Sequence, residues 1–167
     1  GVGILSRKYH LPVYANERTW NAMARSVGAV EKRNVRVFLN ETDFYIGDLS
    51  FSPIPIPHDA ADPVGYRVYY GGRSVGVATD LGHMQKSVVR ALAGVDVLLL
   101  ESNYDPALLR QNEHYSAYLK QRILGNHGHL SNEASAEMLL ALYETGVRQA
   151  LLGHMSGENN TPELALS

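Results

Sequence analysis

A chain of 167 residues, 45% hydrophobic and 19% charged, holds enough apolar matter for one core of ordinary size, and its 15 glycines and 7 prolines are too few for a low-complexity or collagen-like chain. The absence of cysteine excludes disulfides, thiolate metal sites and cysteine nucleophiles, so any metal must be held by His, Asp and Glu. The 15 basic and 17 acidic residues create no global field for nucleic acid; no apolar run approaches the roughly 20 residues of a membrane span, and no signal-peptide pattern opens the chain, so a soluble, cytoplasmic protein is expected.

In chain order, the pattern predicts a short helix at Ser6–Tyr9, a strand at Val13–Ala15, a helix over Glu17–Val27 with Asn16 as its N-cap, and a strand at Val35–Leu39. The next section changes character. Asp43–Ile46, Leu49–Ile56, Val64–Tyr70 and Ser74–Thr79 read as antiparallel strands, with Gly71-Gly72 as the hairpin turn between the last two. Beyond Asp80 the alternation of helix and strand returns: a helix at Gln85–Ala93, a strand at Val95–Leu100, helical stretches at Pro106–Arg110 and Tyr115–Leu124, a helix at Asn132–Thr145 and a strand at Gln149–Leu152. An antiparallel meander running into βαβ-like units predicts a layered α/β or α+β class with a mixed sheet. One continuous domain over residues 1–167 is expected. Gly1-Val2-Gly3-Ile4-Leu5 reads like protein interior and Pro162–Ser167 stops inside a helical pattern, so both ends read as cut.

Three polar residues sit where strands end: Asp80, Glu101 and His154; a fourth, His58, follows the Pro-Ile-Pro-Ile-Pro strand. Side chains at the carboxyl ends of separate strands can converge on one crevice, and two imidazoles with a carboxylate suit a divalent metal where thiolates are unavailable. Each has an ordinary reading as well. Asp80 fits equally as the N-cap of a following helix, Glu101 as a cap, a surface ion-pair partner or a group orienting another, His58 as a satisfied loop histidine, and His154 as a simple strand-end residue.

His127-Gly128-His129 places two imidazoles on alternate positions ahead of a helix that starts at Ser131 or Asn132, where a histidine is held rigidly enough to ligate metal or carry a proton. His10, His83 and His114 read as surface or helix-end residues. Just upstream lies a stretch rich in Tyr and cations, from Tyr104 through Arg110, Tyr115, Tyr118, Lys120 and Arg122. It reads as a solvated helix face with snorkelling side chains, or as a phosphate clamp in which Lys120 and Arg122, two positions apart, need Arg110 to complete the grip.

Taken in order, Pro57-His58-Asp59-Ala60, Ala78-Thr79-Asp80-Leu81-Gly82, Leu100-Glu101-Ser102-Asn103-Tyr104-Asp105, Gly128-His129-Leu130-Ser131-Asn132-Glu133-Ala134, Gly153-His154-Met155-Ser156 and Asn159-Asn160-Thr161-Pro162-Glu163-Leu164 resemble the later motifs of metallo-β-lactamase-fold hydrolases, nearest to the WalJ/YycJ-like group. The resemblance implies an αββα four-layer sandwich with a dinuclear metal site at one edge. It implies His58 and His154 as imidazole ligands, Asp80 as the carboxylate bridging two metals, and His129 as the histidine that protonates a leaving oxygen. Glu101 would then orient His129, and His127 has no counterpart. The group's His-x-His-x-Asp-His segment is absent from these 167 residues. In that group it precedes a Gly-Val-Gly segment, so the expectation is an incomplete domain lacking its first strands and its C-terminal strand and helix.

For the intact relative, the resemblance implies metal-assisted phosphodiester hydrolysis with two divalent ions, zinc or manganese, and DNA degraded from the 5′ end. An alternative keeps the fold and changes the substrate to a small thioester, ester or lactone. A third reading is a non-catalytic fragment. This chain alone is expected to hold at most one metal ion, weakly. Nothing in the sequence fixes an oligomeric state.

Overall fold

The computed structural model describes residues 1–167 and forms two sheets faced by helices. Helix α1 (Val2–Tyr9) leads to strand β1 (Val13–Asn16), helix α2 (Glu17–Val27), a 3₁₀ turn at Lys32–Asn34 and strand β2 (Val35–Phe38). The first helix is a full turn longer than the sequence pattern predicts. Its extra residues carry no polar N-terminal signal, since the N-cap is Gly1 with no side-chain bond. Strands β1 and β2 pair in parallel as a two-stranded sheet.

Strands β3 (Phe44–Ile46), β4 (Leu49–Pro55), β5 (Val64–Tyr70), β6 (Arg73–Ala78), β7 (Val97–Glu101) and β8 (Ala150–Gly153) form the second sheet in that spatial order. The first four pair antiparallel as a meander, and β6, β7 and β8 are parallel. Parallel neighbours need crossovers. Helix α3 (Lys86–Ala91) supplies the first, and helices α4 (Pro106–Gln111), α5 (Ala117–Leu124) and α6 (Asn132–Glu144) the second; a short helix α7 (Pro162–Ala165) ends the chain. Apart from the first helix, the elements fall where the sequence pattern places them, with ends shifted by at most two residues.

Side-chain alternation sorts the large sheet into two faces. On one, Ile54, Ala78, Leu98 and Leu100 pack with Val88 and Leu92 around α3 and with Met138 and Leu142 of α6, in a cluster of 13 buried residues. Register puts Phe44, Phe51, Val68, Val75 and Val97 in one row on the opposite face. There Phe44 stacks on Phe51 at 5.1 Å and on Phe38 of β2 at 4.7 Å, with Tyr66 edge-on, so aromatic rings fill the space between the two sheets. Helix α2 packs against β1 and β2, giving the order helix, sheet, sheet, helix. The two-stranded sheet covers only part of its larger partner: Val75 and Leu151, on the inter-sheet face, stay 41% and 61% exposed. No helix is long and apolar enough to cross a membrane.

Candidate metal centre

Strand direction gathers the site. Because β4 runs antiparallel to β5, and β5 to β6, strand β4 points the same way as β6, β7 and β8. All four carboxyl ends therefore meet at one edge of the sheet. His58 lies just beyond β4, Asp80 just beyond β6, Glu101 is the last residue of β7, and His154 follows β8. His129 reaches the same edge from the loop between α5 and α6.

Asp80 is the centre. Its Oδ1 lies 3.7 Å from Nε2 of both His58 and His154, and one ligand atom each from His58, Asp80 and His129 falls within 4.8 Å of the others. The His129 ring centroid stands 5.2 Å from that of His58 and 5.2 Å from that of His154. Asp80 and His154 adopt left-handed backbone, φ 60° and 55°, at the points where their strands turn into the site. Asp and His are among the non-glycine residues found most often in that region.

Glu101 organises the back of the cluster and is fully buried. Its Oε1 accepts from Nδ1 of His129 at 2.6 Å and from Nδ1 of His154 at 2.7 Å, while Oε2 accepts from the Leu81 amide at 2.6 Å and, more weakly, from that of Leu130 at 3.4 Å. A carboxylate without solvent needs such a ring of donors, and here the ring includes the backbone next to Asp80. The consequence is directional. With Nδ1 of two imidazoles held, each turns its Nε2 away from Glu101. His58 is set likewise, its Nδ1 donating to the Gly128 carbonyl at 3.0 Å. The hydrogen bond that His129 donates to Glu101 raises the His129 pKa above the ordinary histidine value of 6.5, against a smaller downward effect of burial.

The residues fit a divalent metal. Imidazole nitrogens free on the side facing a carboxylate, with their other nitrogens bound to a carbonyl or a carboxylate, form the arrangement that holds metal-ligating histidines in one tautomer. His58, Asp80 and His154 come together at this edge with His129 beside them. Sequence reasoning missed that Glu101 serves His154 as well as His129; two histidines sharing one oxygen leave no spacing signature in the chain.

Two of the three cations read from sequence have partners within the chain. Arg122 donates from Nε and Nη2 to both oxygens of Asp59, at 2.5 and 3.0 Å; Lys120 Nζ donates to the Arg110 carbonyl at 2.7 Å; Arg110 itself lies in the last turn of α4. Arg122 holds the Asp59 carboxyl below its usual range, and Asp59 raises Arg122 in turn. His83 bonds the Asn126 carbonyl, His10 lies 3.4 Å from Glu31, and His127 contributes its carbonyl, which accepts from the Asp59 amide.

An amide network, buried at Ser102 and Asn160 and half-buried at Asn103, braces the site. Ser102 donates to Asn132 Oδ1 at 2.6 Å, Asn160 donates to the Ser102 carbonyl at 2.8 Å, and Asn103 donates to the His154 carbonyl at 2.7 Å. These residues lie inside the motif strings, but nothing in one sequence says that Asn132 and Asn160 touch.

The protein-family model described as the beta-lactamase superfamily domain matches residues 2–155. The chain is 38% identical over 167 residues to "Exodeoxyribonuclease WalJ" of Streptococcus pneumoniae serotype 2 (strain D39 / NCTC 7466) and 34% identical over 165 residues to "Exodeoxyribonuclease YycJ" of Bacillus anthracis, in both cases with 99% of this chain aligned. It spans 62% of the length of these curated relatives. Among solved structures, the metallo-beta-lactamase fold protein YhfI from Bacillus subtilis superposes with a TM-score of 0.65 at 14% identity, over 93% of this chain and 56% of that one, a likeness of fold. The strand-edge cluster of imidazoles and carboxylates thus sits in the architecture of its family, and the chain belongs to the beta-lactamase superfamily, in its metallo-β-lactamase-fold form.

Proposed function

We propose that this chain carries part of the active centre of a metal-dependent phosphodiesterase, a DNA exonuclease working from the 5′ end, within a longer protein like the relatives it matches. One observation carries the reading: His58, His129 and His154 gather around Asp80, with Glu101 buried behind them. The names of the relatives, both exodeoxyribonucleases, support DNA as substrate.

His58, Asp80 and His154 would hold divalent ions, zinc or manganese by their donor types, with Asp80 placed between the two imidazoles. Such ions supply Lewis acidity toward a phosphodiester. The intact protein would hold two; this chain contributes three of the ligands, contains no His-x-His-x-Asp-His, and holds at most one ion weakly. His129 is the proton carrier. Its Nδ1 is occupied by Glu101, so the proton available to a leaving oxygen is on Nε2, and the bond to Glu101 favours the protonated ring.

In the full-length protein, His129→Ala is expected to lower DNA hydrolysis by about 100-fold or more with metal content nearly unchanged. Joint loss of metal would move His129 into the ligand set. Turnover of a thioester panel by the same preparation, with 5′-labelled DNA left intact, would overturn the nuclease reading. For the 167-residue chain, metal analysis after dialysis is expected to find no more than one ion; two tightly held ions would contradict the ligand assignment.

A further inference from the structure

Helix α5 ends in a turn, Gly125–Gly128, that is bonded from several sides by the loops carrying the candidate ligands. The Gly128 carbonyl accepts from His58 Nδ1 at 3.0 Å, the His127 carbonyl from the Asp59 amide at 3.1 Å, and the Asn126 carbonyl from His83 Nδ1 at 2.9 Å. The loop after Asp80 lies flat on the same turn: a Cβ on Gly82 would stand 2.2 Å from the Asn126 carbonyl oxygen. The turn belongs to no strand, so the sheet does not fix its place. A side-chain pair links it to the His58 loop instead. Arg122, in the last turn of α5, grips both oxygens of Asp59, the neighbour of His58, in the forked geometry that a guanidinium and a carboxylate share.

We propose that the Asp59–Arg122 pair is a positioning clamp for His58. By holding the end of α5 against the His58 loop, it keeps the Gly128 carbonyl on Nδ1 and leaves Nε2 as the nitrogen with the free lone pair, 3.7 Å from Asp80 Oδ1 and 3.5 Å from Asp59 Oδ1, the latter oxygen engaged by Arg122. A neutral imidazole carries its proton on either nitrogen, and an acceptor at 3.0 Å on one of them selects the tautomer. Arg122 and Asp59 are 49% and 35% exposed, so the pair contributes little to global stability and its effect lies in local geometry. The clamp also explains why Arg122 is not free to serve first as a phosphate contact. Its use for metal rests on the proposed function of the site; its effect on the His58 tautomer does not.

The test uses the ¹⁵N-labelled chain without metal, with long-range imidazole spectra reporting the His58 tautomer, Zn²⁺ affinity by calorimetry, binding of a single-stranded DNA oligonucleotide, and thermal melting. The variants are Arg122→Ala, Asp59→Asn and the charge-reversed pair Asp59→Arg with Arg122→Asp. The wild type is expected to hold the His58 proton on Nδ1. Each single variant is expected to give a tautomer mixture and weaken Zn²⁺ binding about tenfold, with Tm moved by less than about 4 °C; the charge-reversed pair is expected to recover both. Unchanged His58 signals in the single variants overturn the clamp. So does a variant that weakens only oligonucleotide binding, which makes Arg122 a phosphate contact, and so does a tautomer change that comes only with collapse of the fold. If the variants scramble His58 but the wild type takes up no Zn²⁺, the clamp stands and the metal reading of the site fails.

Discussion

Glu101 shows how much one buried carboxylate can set. It spends one oxygen on two imidazoles and the other on backbone amides, so the rings of His129 and His154 are fixed by the same atom. A test follows from its effect on His129, whose pKa is raised in the folded chain chiefly by that hydrogen bond. In the metal-free chain, the His129 ring is expected to titrate above 6.5 by NMR, and to fall back toward it in Glu101→Gln. The sign for stability follows from linkage: a group with a raised folded-state pKa stabilises fully below its unfolded value and stops doing so as pH rises through the folded one. The difference in Tm between the chain and His129→Ala is therefore expected to be largest below about pH 6.5 and to shrink as pH climbs through the His129 midpoint. A difference that grew with pH would mean that His129 is held neutral.

Helix α6 carries the site's local order at the scale of elements. Ser131 caps it by accepting from the Ala134 amide, and the same segment reaches back to Tyr104 through a parallel bridge. Ser131→Ala is expected to cost about 1 kcal/mol, seen as a Tm lower by about 2–4 °C. The turn before it is tighter. A Cβ on Gly128 would lie 2.1 Å from the Ile123 carbonyl oxygen and 2.4 Å from that of Arg122, both backbone atoms that cannot step aside cheaply. Gly128→Ala is expected to destabilise by about 1–3 kcal/mol and to displace His58 and His129 together, because Gly128 bonds one and precedes the other. Equal melting of this variant and the wild type would mean that the turn opens freely.

The whole molecule adds the sum of these positions: one sheet edge where four strand ends and a helix-flanking loop meet. A ligand that binds only the folded state raises Tm by mass action. Excess Zn²⁺ is thus expected to raise the Tm of the wild-type chain and to leave that of Asp80→Asn almost unmoved; Asn is the better probe than Ala because it tolerates the left-handed backbone at this position. Equal shifts in both would place the bound ion elsewhere. At the same scale, the inter-sheet face is only partly covered by β1 and β2, and Val75 and Leu151 on it remain exposed.

The sequence by itself determined the local elements and the list of candidates. Periodicity and caps such as Asn16 and Ser131 are short-range, so helices α2 and α6 could be read from one segment at a time. Strand-end positions likewise marked His58, Asp80, Glu101 and His154, and the order of the motif strings pointed to the family that the family model then matched. Tertiary structure decided which groups touch. Strand direction brought residues as far apart as His58 and His154 to one carboxylate, and Glu101 was found to bind two histidines, neither of which leaves a spacing in the chain. It also turned Arg122 from a candidate phosphate contact toward Asp59, since a guanidinium takes the carboxylate that the fold sets beside it, and that neighbour lies 63 residues away.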